Sequence, residues 1–392
     1  MIYNFDEIID RNGTDSLKYD ERDKAFGDGS VLPLWVADMD FRAAKPIQDA
    51  CRARAEHGIF GYVAKSESFF DAARAFALRR HGWEIEPGTI AIAPGVVPSL
   101  SELVREFTAP GDRVLIQTPV YPEFYDVIEC WEGREVLESP LICNEDGSYD
   151  MDFADFEEKL RQGPKLFLLC NPQNPVGRIW RREELERLCS LCVRYGVPVV
   201  SDEIHGDLEL FGKQYVPVGT LSEAIRANTI VCFSATKTFN LAGLQTNCTV
   251  FQRKDWQKRF ERSWKNYEIH RNNCFGMAAM RAAWQEGDEW LTQLCAYLSD
   301  NVTFVHDYLE ANIPQIHMHL PEATYLCWLD CRELGLTGDA LGRFFVEKAH
   351  VGLSDGRGFQ RGLEGYLRLN AACPRSVLQT ALEQIKAAIA AR

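Results

Sequence analysis

Lys237 lies in Ser234-Ala-Thr-Lys-Thr-Phe-Asn-Leu-Ala-Gly-Leu-Gln245, just beyond the strand-forming run Ile230-Val-Cys-Phe233 and flanked by hydroxyls at Ser234 and Thr236. A lysine on a turn at a strand end, partly desolvated or close to other positive charge, is a nucleophilic amine that condenses with carbonyl compounds. Three other segments supply what such an amine needs. The run Leu166-Phe-Leu-Leu-Cys170 leads into Asn171-Pro-Gln-Asn174-Pro-Val-Gly177, where two Asn-Pro pairs and a glycine enforce a non-helical turn. Asn174 there can offer a neutral hydrogen-bond donor to a phenolic oxygen. Val197-Pro-Val-Val-Ser201 delivers Asp202-Glu-Ile-His205. A carboxylate emerging from an apolar strand needs a partner, which a cationic ring nitrogen or an arginine would provide. Finally, Ile90-Ala-Ile-Ala-Pro-Gly95 runs into Val96-Val-Pro-Ser-Leu-Ser-Glu102, a turn and then a helix whose free amides suit a phosphate. Each segment alone also fits an ordinary turn; their order places Asn174, Asp202 and Lys237 at successive strand ends.

Those strand ends belong to a regular alternation. Helical spacing recurs at 66–81, 99–107, 123–131, 153–161 and 182–195. Short apolar runs fall at 89–93, 113–117, 134–138, 165–170, 197–201, 229–233 and 247–251. Apolar strands separated by amphipathic helices predict an α/β large domain, three layers deep, with a mostly parallel, mixed sheet of about seven strands. Ligands in such folds bind beyond the carboxyl ends of the strands. The remainder reads as a smaller α+β domain: one or two long helices over 276–309, strands at 315–320, 324–329 and 366–370, a helix near 340–349 and a last helix from Arg375. The expected division is 46–285 for the large domain, with 1–45 and 286–392 forming the small one. The glycine-rich stretch 356–365 reads as a mobile loop.

The chain of 392 residues is 46% hydrophobic and 26% charged, with a formal net charge of −14. That balance fits a globular protein and argues against sequence-independent nucleic-acid binding. No basic-then-apolar leader or membrane-length apolar run is present, and the thirteen cysteines are scattered, several within apolar runs. A reducing cytoplasm is the expected compartment, with neither nucleic acid nor membrane as partner. Cys189 and Cys192 have helical apolar spacing and are expected in a core rather than on a metal; His317 and His319 are also expected to be structural.

Asn-Pro-x-Asn-Pro-x-Gly, Ser-Asp-Glu-Ile-His and Ser-x-x-Lys-x-Phe-Asn, in this order, resemble the fold-type I, aspartate-aminotransferase-like superfamily of enzymes dependent on pyridoxal 5′-phosphate (PLP). Trp35–Phe41, Gly58–Tyr62, Thr118–Tyr125 and Arg368–Arg375 resemble its MalY/PatB subgroup of cystathionine β-lyases, and the likeness covers nearly the whole chain. The resemblance implies that Lys237 holds the PLP aldehyde and later moves the substrate α-proton. Asp202 would keep the ring nitrogen protonated, Asn174 would bond the ring oxygen near His205, and Tyr121 would stack on the ring. Val96, Val97, Ser234 and Thr236 would surround the phosphate. Tyr62 would reach the phosphate of a neighbouring subunit, implying a homodimer with shared sites. Arg368 would bind the substrate carboxylate, with Asp38, Tyr121 and Asn174 also facing the substrate. Gln245 stands where aminotransferases place an arginine on the phosphate, and His205 where they place a tyrosine.

The reaction so implied is β-elimination from L-cystathionine or a related cysteine S-conjugate, giving thiol (homocysteine), pyruvate and ammonia. Transamination at the same site is the alternative. Part of the subgroup also has a transcription-regulating, protein-binding role, for which no motif here marks a surface. No metal is expected.

Overall fold

The structure, a computed structural model, describes residues 1–269 and 271–392. Seven apolar runs form one sheet: β1 (Ile90–Ala93), β2 (Arg113–Thr118), β3 (Glu135–Pro140), β4 (Leu166–Cys170), β5 (Val199–Asp202), β6 (Thr229–Phe233) and β7 (Asn247–Phe251). The order across it is β1-β7-β6-β5-β4-β2-β3. Only β7 runs against its neighbours. This is the expected mixed seven-stranded sheet of an α/β fold.

Helices cover both faces: α1 (Glu67–His81), α2 (Val96–Phe107), α3 (Glu123–Glu129), α4 (Phe153–Arg161), α5 (Arg182–Tyr195), the short α6 (Ala235–Thr238), α7 (Lys254–Asn266) and α8 (Cys274–Glu286). Because side chains alternate along a strand, consecutive residues enter different cores. Val114, Ile116, Leu166, Leu168, Val200 and Ile230 pack with Leu100, Phe124 and Phe260, beneath α2, α3 and α7. Leu115, Phe167, Leu169, Val199 and Val231 pack on the other side with Phe76, Phe156, Leu188 and Trp284, beneath α1, α4, α5 and α8. Cys189 and Cys192 are buried on α5, as their spacing suggested.

Beyond Gly287 come the long α9 (Asp288–Asn312), then α10 (Asp339–Glu347) and α11 (Arg375–Ala390). They flank an antiparallel sheet of β8 (Leu326–Asp330), β9 (Ser354–Asp355) and β10 (Tyr366–Asn370), with β10 in the middle. The N-terminal Leu32–Pro33 joins in parallel with Val351–Gly352. Three expectations need correction. Among the described residues, the run 315–320 makes only the single bridge His317↔Asp330 to the end of β8, too little to form a strand. The helix expected from Ser99 begins at Val96, because proline at its third position tolerates a first turn. The 356–365 stretch is pinned instead of open: Phe359 is buried and its carbonyl accepts from the Val120 amide at 2.8 Å.

Candidate active site

Register brings the chemistry together. In the parallel strands β4, β5 and β6, Cys170 lies opposite Asp202 and Asp202 opposite Cys232. Asn174, Asp202 and Lys237 therefore leave one edge of the sheet side by side. Strand β7 starts at this edge, with Asn247 opposite Ala93 and Cys248 opposite Phe233. That pairing sets the end of β1 and the first turn of α2, with Val96 and Val97, beside the Lys237 turn.

Ser234 caps α6: its hydroxyl accepts from the Thr236 amide at 3.2 Å and donates to the Thr246 carbonyl at 2.7 Å. On that turn the Lys237 Nζ donates to the Ala37 carbonyl at 2.6 Å. Burial, reinforced by the positive charge of Arg368, lowers the Lys237 pKa to about 8, against opposing contributions from Asp38, Glu123 and Asp202. The next residue, Thr238, donates to Asp207 at 2.7 Å, and Asp207 pairs with His81 at the same distance.

Asp202 is buried and accepts only the Ile204 amide, at 3.1 Å; no ion pair reaches it among the described residues. Burial raises its pKa to about 7. His205 is buried edge-on to Tyr325, its Nδ1 has no hydrogen-bond partner among the described residues, and burial lowers its pKa to about 3. Asn174 Oδ1 accepts from Arg368 Nη1 at 3.0 Å, joining residues 194 apart. Arg368 also reaches the Trp35 carbonyl at 3.3 Å and the Ser354 hydroxyl at 3.4 Å, lies over the Phe359 ring, and leaves its Nε without a partner among the described residues. Burial lowers its pKa to about 10. A neutral-leaning amine, an unpaired buried carboxylate, a neutral imidazole and a guanidinium with spare donors fit a flat heterocycle that has an aldehyde and a basic ring nitrogen.

The family model for aminotransferase class I and II matches residues 31–385. The chain belongs to that family. Cystathionine beta-lyase PatB of Bacillus subtilis is 41% identical over 387 residues, covering 98% of this chain and 100% of the relative. Protein MalY of Escherichia coli is 33% identical over 381 residues, covering 96% of each. The crystal structure of cystalysin from Treponema denticola, which contains a pyridoxal 5′-phosphate cofactor, superposes with a TM-score of 0.96 at 32% identity over 100% of both chains.

The other candidate positions are held in different ways. Both carboxylate oxygens of Asp38 are held by Arg11, at 2.6 and 3.0 Å, so Asp38 is an electrostatic neighbour of Lys237 instead of a free substrate contact. Ser234 donates its hydroxyl proton to the Thr246 carbonyl and so ties down the lysine turn. Gln245 is exposed at a positive φ of 44°. Tyr62 is 89% exposed, beneath the Arg271 guanidinium. Tyr121 does border the site; burial and then Glu123 push its phenol pKa up. Sequence reading missed Tyr325, Ser354, Phe359 and the Ala37 carbonyl. Their only signal is position in three-dimensional space, because they come from the N-terminal arm and the small sheet. A surface cleft of about 860 Å³ lies elsewhere, between Cys143–Tyr149 and His306–His319.

Proposed function

We propose that this chain is a PLP-dependent carbon–sulfur β-lyase acting on L-cystathionine or a related cysteine S-conjugate. The observation that carries this reading is the in-register delivery of Asn174, Asp202 and Lys237 to one sheet edge, with the Asp202 carboxylate buried and unpaired. Names and cofactors of the relatives support it: PatB is a cystathionine beta-lyase and cystalysin contains PLP.

Arg368 binds the substrate carboxylate through its spare donors, in the planar geometry that guanidinium favours. Asn174 fixes that guanidinium through its side-chain oxygen, and its amide nitrogen would be the donor to the ring oxygen of the cofactor. Asp202 takes on full negative charge once a protonated ring nitrogen sits beside it, and so holds that nitrogen cationic. PLP, when bound, supplies an electron sink for the charge left at the substrate α-carbon. Lys237, with a pKa near 8, is available in its neutral form close to neutral pH and takes the α-proton as general base. The Cβ–S bond breaks with its electron pair on sulfur, and with one water the products are thiol, pyruvate and ammonia. Val96, Val97 and Thr236 hold the phosphate through the α2 first turn and the lysine turn, and Tyr121 stacks on the ring. The large domain is 46–285, with 1–45 and 286–392 forming the small one. Exposed Ile59, Phe60 and Tyr62 mark the face on which a second copy packs, bringing Tyr62 to the neighbour's phosphate.

The test is purified, PLP-loaded protein given L-cystathionine without any keto acid. Pyruvate and homocysteine in equal amounts support the lyase; product only after a keto acid is added supports transamination instead.

A further inference from the structure

We propose that Glu123 selects substrates whose sulfur-borne leaving group has a positive charge. This inference rests on the lyase reading and names the substrate class of the same site. Glu123 opens α3, directly after the turn that follows β2. That turn is tied beneath the substrate arginine: the Val120 amide donates to the Phe359 carbonyl at 2.8 Å, and Phe359 lies under Arg368, 4.8 Å from ring centre to guanidinium carbon. Glu123 thus shares a wall with Tyr121 and Arg368. Its Oε2 is buried and has no hydrogen-bond partner among the described residues.

The ordinary explanation of an acidic residue at this place is a helix cap, and the hydrogen bonds argue against it. The amides of Phe124, Tyr125 and Asp126 already donate to the carbonyls of Tyr121 and Pro122, so none of these first-turn amides serves the Glu123 carboxylate. A buried, unsatisfied carboxylate oxygen is costly and needs another reason to persist. Charge accounting supplies one. Arg368 is matched by the substrate carboxylate, Asp202 by the cofactor ring nitrogen, and the substrate α-amine by the cofactor aldehyde. Glu123 is an anion of this wall with no cation assigned to it, and its charge is felt by both Lys237 and Arg368. The remaining part of the substrate is the group on sulfur. In cystathionine that group ends in an ammonium and a carboxylate, and the ammonium would satisfy the orphaned oxygen.

Two nearly isosteric conjugates isolate the charge: S-(2-aminoethyl)-L-cysteine and S-propyl-L-cysteine. The wild-type holoenzyme is expected to favour the aminoethyl conjugate in kcat/KM by about tenfold or more. Glu123→Gln keeps the side-chain shape and removes the charge, and is expected to bring the ratio near one whatever it does to both rates. An unchanged ratio in Glu123→Gln, or a wild-type preference for the propyl conjugate, overturns the assignment. If wild type releases pyruvate from neither conjugate nor from cystathionine, the lyase reading itself is what fails.

Discussion

Lys237 and Tyr325 donate to the same acceptor, the Ala37 carbonyl, at 2.6 and 2.9 Å. Two side chains 88 positions apart are thereby set by one backbone oxygen from the N-terminal arm. Neighbouring carbonyls of that arm are anchored likewise, those of Val36 and Asp38 by Asn370 and those of Met39 and Phe41 by Asn240. Tyr325→Phe removes one of the two donors from Ala37. It should cost about 1 kcal/mol in urea unfolding. It should also lower kcat several-fold with little change in KM, because the lysine is misplaced while Arg368 is untouched.

Asp202 gives a stability prediction that does not need turnover. Its folded pKa of about 7 lies above the ordinary 3.8, so the native state holds this proton more tightly than the unfolded chain. The associated stability is full below pH 4 and is lost as pH rises through 7. Asp202→Asn abolishes the loss. In cofactor-free protein the variant should therefore gain on wild type between pH 5 and 8, by roughly 2.5 kcal/mol. Glu203, whose pKa burial also raises to about 7, is common to both proteins and drops out of the comparison. With PLP present the order should reverse, because the carboxylate then has its cationic partner. Urea titrations at both pH values, with and without PLP, check this.

Arg368→Lys keeps a charge but loses the planar fork that reaches Asn174, Trp35 and Ser354 together. Its kcat/KM for cystathionine should fall by about a hundredfold, mostly in KM. Steady-state kinetics across substrate concentration separate that outcome from a defect in kcat alone.

Gly177 closes the Asn-Pro-Gln-Asn-Pro-Val-Gly turn at a φ of +69°, where a Cβ would stand 2.3 Å from the Cβ of Pro321. Backbone strain and overlap act together there, so Gly177→Ala should cost roughly 2–4 kcal/mol. Chemical denaturation of the cofactor-free variant measures it.

Much of the large domain was legible because its signals are local. Apolar runs such as Leu166–Cys170 and Thr229–Phe233 are bounded by polar turns, and α4 and α5 have clean helical periodicity. Parallel strands then put their turn residues at one edge without further information. The small domain was read less well, since Gln315–Leu320 has a strand-like pattern but meets β8 only at the bridge His317↔Asp330 among the described residues, and pairing is a tertiary property. Side-chain partnerships were the least visible. Nothing in Trp35–Phe41 announces that Arg11 will occupy Asp38, or that the Ala37 carbonyl will hold Lys237. Asn174 and Arg368 were each singled out for a ligand, and their bond to one another appears only in the folded chain.

The central claim is that the amine of Lys237 binds the cofactor aldehyde. Purified protein loaded with PLP, reduced with borohydride and digested should yield one PLP-modified peptide, with the modification on Lys237 by mass spectrometry. A modification on another lysine, or none, with cystathionine cleavage intact in Lys237→Ala, would contradict the account.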